Sequence, residues 1–146
     1  MIEKVFESNG YKCVVVITPM GHRCGYVGVN ASHPLYLVLY DEEIHKGLTL
    51  ESEINVHGGL TFSGNRLIDL MNVDDTLWYF GFDCAHCCDI PDFDAALNTF
   101  KDNDIIVRRL KFNKSLWEEH KTGEAIRTLE YVEKECIKLA EQLIMY

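Results

Sequence analysis

Between Glu124 and Ile144 the apolar residues Ile126, Leu129, Val132, Cys136, Leu139 and Leu143 return every three or four positions, and Glu130, Lys134 and Glu141 help fill the remaining arc. A helix gathers that period into one apolar stripe. The rest of the chain must supply a surface that buries it. Upstream, the pattern changes to strands. Tyr11 to Thr18 is rich in β-branched residues and ends at Pro19, Gly21 offers turn freedom, and Cys24 to Val29 runs back, which predicts an antiparallel hairpin. A register closing on Thr18 and Arg23 sets Cys24 opposite Ile17 and Cys13 opposite Gly28, so the two thiols do not face each other. In "TLWYFGFD", Thr76 to Asp83, alternation places Trp78, Phe80 and Phe82 on the face expected in the core, with Leu77, Tyr79, Gly81 and Asp83 on the other. The expected fold is α+β: a single domain over residues 1–146, with a mainly antiparallel sheet packed by a long C-terminal amphipathic helix.

Other segments are less periodic. The residue before a proline is pushed out of the helical region, so "HPLYLVLYDEE" starts extended at His33, and Leu37 to Tyr40 is expected to continue as a buried strand. "SEINV" and "LTFSG" flank His57, Gly58 and Gly59, where adjacent glycines permit a reversal or bulge. "DIPDFDAALNTF" contains a short helical piece, and "DIIVRRLKF" then reads as a final strand.

With 47% hydrophobic and 25% charged residues and only three prolines, the chain can build one core and contains no disordered linker composition. Its formal charge of -9 repels phosphate backbones, so duplex nucleic acid is not an expected partner. "RRLKFNK", Arg108 to Lys114, concentrates four positive charges; it is either a solvated face or, through Arg108 and Arg109, a balance for one anionic ligand group. No stretch reaches the ~20 apolar residues of a membrane span, and "MIEKVFESNGYK" lacks the basic start and apolar run of a secretory signal. A cytoplasmic protein without a membrane partner is therefore expected. In that setting the six cysteines read as reduced thiols rather than a disulfide framework.

The chemistry concentrates in two stretches. "CAHC", Cys84 to Cys87, with Cys88 and Asp89 beside it, offers zinc-ligand types, but the second Cys-x-x-Cys of a zinc ribbon is missing and Cys13, Cys24 and Cys136 are solitary. No complete metal shell and no cofactor can be assigned, and thiols packed as small apolar residues are the simpler expectation. Asp83 ends a strand three residues before His86, so its carboxylate can hold the imidazole in one tautomer and prepare a base; the plainer alternative is an aspartate capping its turn. "HGGLT" adds His57, two peptides without side chains at Gly58 and Gly59 that a ligand could approach, and the Thr61 hydroxyl. Neither a P-loop nor a Gly-x-Ser-x-Gly elbow is present. The expected working surface gathers His57, Gly58, Gly59, Thr61, Asp83, His86 and Asp89, with His33 and Tyr36 as wall residues.

"GYVGVNASHPLY" (Gly25 to Tyr36), "VHGGLTFSG" (Val56 to Gly64), "WYFGFDCAH" (Trp78 to His86) and "YVEKECIKLAEQL" (Tyr131 to Leu143) together resemble a family of small, uncharacterised proteins met in bacteriophage and prophage genomes. The resemblance implies a phage setting, and hence the host cytoplasm, rather than a mechanism. It matches Asp83, Cys84, His86 and Asp89, whereas Cys87 and Cys88 stand where the family usually resembles "AHAGD", and a glycine expected soon after "HPLY" is replaced. The leading expectation is a protein that binds a small polar or nucleotide-like ligand, sequestering a host signal or countering host defence. One alternative is a hydrolase in which His86, oriented by Asp83 and joined by His57, activates water directly or through a shared metal. Another is an interaction module that binds a host protein by an exposed aromatic patch; a homo-oligomer is the other partner expected.

Overall fold

The hairpin and the aromatic strand are neighbours in one sheet. In the computed structural model, which describes residues 1–67, 73–121 and 123–146, β1 (Ile2–Ser8), β2 (Tyr11–Ile17) and β3 (Arg23–Val29) form a meander, and β7 (Trp78–Asp83) pairs with β3 and with β6 (Phe62–Gly64). The five-stranded order is β1-β2-β3-β7-β6, antiparallel throughout. A small ribbon, β4 (Glu43–His45) with β5 (Leu48–Thr49), leads into α1 (Leu50–Glu53). β8 (Asp89–Ile90) precedes α2 (Phe93–Thr99) and α3 (Asp104–His120), and it pairs in parallel with β9 (Ala125–Ile126) just before α4 (Leu129–Leu143). The fold is α+β, as the patterning implies.

Local chemistry explains the two hairpins. Asn9 and Gly10, with φ of 54° and 80°, close β1 onto β2 in the two-residue turn that Asn-Gly favours. The β2–β3 register is one residue away from expectation: Ile17 pairs with Arg23, Val16 with Cys24 and Cys13 with Val27. The Thr18 amide donates to the His22 carbonyl at 2.8 Å and Gly21 takes φ 89°, so the loop is the three-residue Pro19-Met20-Gly21. The cysteines still do not face each other.

α4 lies across the sheet and buries Val132, Cys136, Leu139 and Leu143 against Val15, Val27, Phe80 and Phe82. Each such side chain contributes on the order of 2 kcal/mol. The close approach depends on Gly25: a Cβ there would lie 2.7 Å from the Cys136 Sγ and overlap the Phe82 ring. The other face of β7 is covered too, since Tyr79 joins Val14, Val16 and Leu67 in a second cluster. Ile126 is not on the helix. Thr128 caps α4 by accepting from the Tyr131 amide, and Ile126, 46% exposed, belongs to β9.

Two expected strands are corrected. "DIIVRRLKF" lies in α3, where the Asn103 side chain accepts from the Ile106 amide and Ile106, Leu110 and Trp117 face a cluster with Ile17, Phe93 and Ala96. The segment Leu37 to Tyr40 turns instead, because the Tyr36 and Val38 amides bond locally to His33 and Leu35 carbonyls. Leu37 has φ 68° and is 59% exposed. A leucine there costs about 1–2 kcal/mol, and glycine returns about 0.5–1 kcal/mol of that as chain entropy. Leu37→Gly is therefore expected to raise the Tm by about 2 °C, read by differential scanning calorimetry; a fall would show that the Leu37 side chain holds this turn. Among the described residues no helix is long and apolar enough to cross a membrane.

Candidate functional site: a carboxylate shared by two imidazoles

Asp89 opens β8 and is 1% exposed, so its ionised form survives only if both oxygens are partnered. Four donors reach it. Oδ1 accepts from Arg127 Nε at 2.8 Å, while Oδ2 meets His57 Nε2 at 2.9 Å, the His86 amide at 3.0 Å and His86 Nδ1 at 3.2 Å. Burial pushes the Asp89 carboxyl up, but Arg127, His57 and the His86 amide outweigh it and hold the group well below the usual carboxylate range.

Each partner is placed by its own element. His57 sits in the loop after α1; its amide donates to Glu135 Oε2 at 2.8 Å, and its Nδ1 lies 2.9 Å from the Tyr131 hydroxyl. Tyr131 and Glu135 are four residues apart, on one face of α4. Arg127, in the short link from β9 to α4, has its guanidinium carbon 4.9 Å from the centre of the Tyr131 ring. His86 belongs to the turn from β7 to β8, which the Asp89 amide closes on the His86 carbonyl at 2.9 Å.

The network assigns the tautomers of the neutral rings. Because a carboxylate only accepts, His57 Nε2 and His86 Nδ1 both carry hydrogen. His57 Nδ1 then takes the Tyr131 O–H, whose phenol burial pushes up, so that it stays a hydroxyl. His86 Nε2 is left as an acceptor on a ring whose side chain is 38% exposed.

The aspartate that orients His86 is thus Asp89. Asp83 Oδ1 stands 4.0 Å from His86 Nδ1 and accepts instead from the Ala85 amide at 3.1 Å, capping its turn. Gly58 has a structural task. With φ 67° it lies under the His86 ring, which a Cβ would overlap, so the glycine seats the imidazole. Gly59, at φ 86°, completes the reversal with open space around it. Gly58→Ala should displace His86 and destabilise the fold by about 1–2 kcal/mol while leaving it cooperative. Urea denaturation combined with the His86 imidazole resonances checks this, and an unmoved His86 would contradict the packing argument.

The remaining expected residues are not brought to this cluster. Thr61 is exposed, and its amide pairs with the Gly81 carbonyl at 2.9 Å. His33 accepts at Nδ1 from the Leu35 amide and donates from Nε2 to the Leu143 carbonyl at 2.9 Å, capping the far end of α4, about 18 Å from Tyr131. The Tyr36 hydroxyl points to the Thr76 carbonyl at 3.4 Å. Arg108 and Arg109 are exposed on α3. Conversely, Arg127, Tyr131 and Glu135 escape a reading by motif, although the last two stand beside the apolar stripe in the late block of the resemblance.

The cysteines divide by burial. Burial pushes the Cys13 thiol up to about 11 and the Cys84 thiol up to about 12, and it raises Cys136 as well, so none of these supplies a thiolate near neutrality. Cys87 and Cys88 are exposed, with their Sγ atoms 3.7 Å apart. Iodoacetamide at pH 8 should label Cys87 and Cys88 in the folded protein and spare Cys13, Cys84 and Cys136 until denaturant is added. Peptide mass mapping reads the result, and early labelling of Cys84 would show that the turn opens.

A separate cleft of about 300 Å³ lies between α3 and the β2–β3 loop, with Met20, His22, Phe93, Trp117 and His120 among its walls. No family model, curated protein or solved structure matches the chain.

Proposed function

We propose that this is a phage-type protein that captures a small polar, nucleotide-like ligand at the Asp89 cluster, sequestering a host signal or blunting a host defence. The observation that carries the proposal is the pairing of a saturated carboxylate with two groups that keep unused capacity. Asp89 occupies His86 Nδ1 and Arg127 Nε, leaving His86 Nε2 as an acceptor; the Arg127 guanidinium rests on the Tyr131 ring, and among the described residues no side chain accepts a hydrogen bond from its two terminal nitrogens. The guanidinium fork suits a phosphate or carboxylate, and the imidazole suits a ligand O–H or N–H. Both are held by a buried anchor, which lowers the entropy lost on binding. Thermal-shift screening with nucleotides and phosphorylated metabolites tests the reading: a stabilising compound whose effect disappears in His86→Ala supports it. An effect lost in Trp117→Ala and kept in His86→Ala would move ligand capture to the aromatic cleft.

A hydrolase is the second reading, favoured by the Asp89–His86 pair itself. A carboxylate on Nδ1–H with a lone pair on Nε2 is the arrangement of a general base, and water on Nε2 would be its substrate-side partner. Recovery of the stabilising compound from the complex separates the two readings. Unchanged ligand supports capture, and a cleaved product supports catalysis.

A further inference from the structure

We infer that His57, His86 and Asp89 form a binding site for one divalent transition-metal ion, with zinc the best match to two imidazole nitrogens and one carboxylate oxygen. The inference goes beyond ligand capture and does not depend on it. One ring nitrogen from each histidine and one carboxylate oxygen lie within 4.8 Å of one another. Two edges of this triangle, 2.9 Å from His57 Nε2 to Asp89 Oδ2 and 3.2 Å from His86 Nδ1 to the same oxygen, approach the ~3.3 Å between ligands at tetrahedral zinc distances. Bringing the two imidazole nitrogens to the same separation needs a shift of the His86 ring, which its half-exposed turn can supply. Three protein ligands leave the fourth position to water.

The surroundings accommodate the exchange of two N–H hydrogens for a cation. When His57 presents the Nε2 lone pair, its proton moves to Nδ1, and the Tyr131 hydroxyl turns from donor to acceptor without losing its partner. When His86 presents Nδ1, its proton moves to Nε2 and meets solvent. Neither ring changes its proton count. Asp89 keeps Arg127 on Oδ1 and the His86 amide on Oδ2, Glu135 keeps the His57 amide, and Gly58, without a Cβ, leaves the His86 ring its space. Such outer partners are what fix imidazole and carboxylate ligands at metal centres. The charge also suits a cation, because the three carboxylates of Asp83, Asp89 and Glu135 lie around the rings and are met by two cations, the Arg127 guanidinium on Asp89 and the Lys138 ammonium 3.8 Å from Glu135.

Chelator-treated full-length protein, kept reduced, should take up one equivalent of Co²⁺, giving the visible absorption of a four-coordinate ion without an intense thiolate charge-transfer band, and Zn²⁺ should displace it. His57→Gln and His86→Ala should each weaken Zn²⁺ binding by at least about tenfold. The double variant Cys87→Ser/Cys88→Ser should bind like the wild type. If His57→Gln loses its metal-free thermal transition, His86→Ala decides, since its ring is the most exposed of the three ligands. The inference is overturned if the wild type takes up neither ion, if binding survives in His86→Ala, or if the double serine variant abolishes it. The titration uses the metal alone, so its outcome is read separately from any nucleotide screen.

Discussion

Replacing Asp89 with asparagine should lower the free energy of unfolding by about 3 kcal/mol at pH 7, out of a total on the order of 5–15 kcal/mol. The volume is unchanged, so the effect comes from donors and acceptors. Both imidazoles can switch tautomer and accept from the new amide, but Arg127 Nε and the His86 amide can only donate. They approach different carboxylate oxygens, Oδ1 and Oδ2. Whichever way the asparagine turns, one of them faces an NH₂ group at a site that is 1% exposed. The same residue governs part of the acid response. Its carboxyl titrates lower in the folded chain than at its unfolded value of about 3.9, so its stabilisation is present above that pH and is lost as the pH falls towards the folded value. The gap between wild type and Asp89→Asn, measured by urea denaturation, should therefore be constant above about pH 5 and narrow below about pH 4. A gap below about 1 kcal/mol at pH 7 would show that water replaces the lost acceptor.

Arg23→Ala should be as severe, at about 3–5 kcal/mol. Arg23 lies on β3, and its side chain is 4% exposed. Its Nε and Nη2 grip Glu3 at 2.6 and 3.0 Å, while Nη1 donates to Asp92 at 2.7 Å and to the Arg127 carbonyl at 3.0 Å. One guanidinium thus joins β1 to the residue that caps α2 and to the link that carries Arg127. Truncation leaves two carboxylates without their cation and a carbonyl without its donor. Glu3 and Asp92 are 15% and 20% exposed, so partial rehydration keeps the loss within that range. Arg23→Lys supplies charge without the fork and should fall between wild type and alanine. Because Arg127 is one of the anchored groups, Arg23→Ala should also weaken binding at the Asp89 cluster, measured by the same thermal-shift titration. Equal stability of the lysine and arginine forms would reduce the network to charge alone.

How much of this was legible depended on the range of the interaction. The Tyr11–Val29 hairpin, the aromatic face of β7 and the stripe of α4 are carried by residues two to four apart, and periodicity reads them directly. α3 was obscured because its apolar residues at the start, Ile105, Ile106 and Val107, are β-branched and contiguous, and the Asn103 cap that starts the helix is a single residue. His57, His86 and Asp89 could be picked out as reactive types near unusual glycines. Their roles could not, since Asp83 and Asp89 are each three residues from His86 and sequence spacing ranks them equally.

By itself the sequence determined an α+β chain, the strands and helix just named, and the residues most apt for chemistry, because propensity and alternation act between near neighbours. Only the tertiary structure decided that Asp89 is the shared carboxylate, that Gly58 seats His86, and that Arg127, Tyr131 and Glu135 complete the cluster. Those contacts join residues separated by up to 78 positions, and which of them form depends on how α4 and the β7–β8 turn pack against the His57 loop.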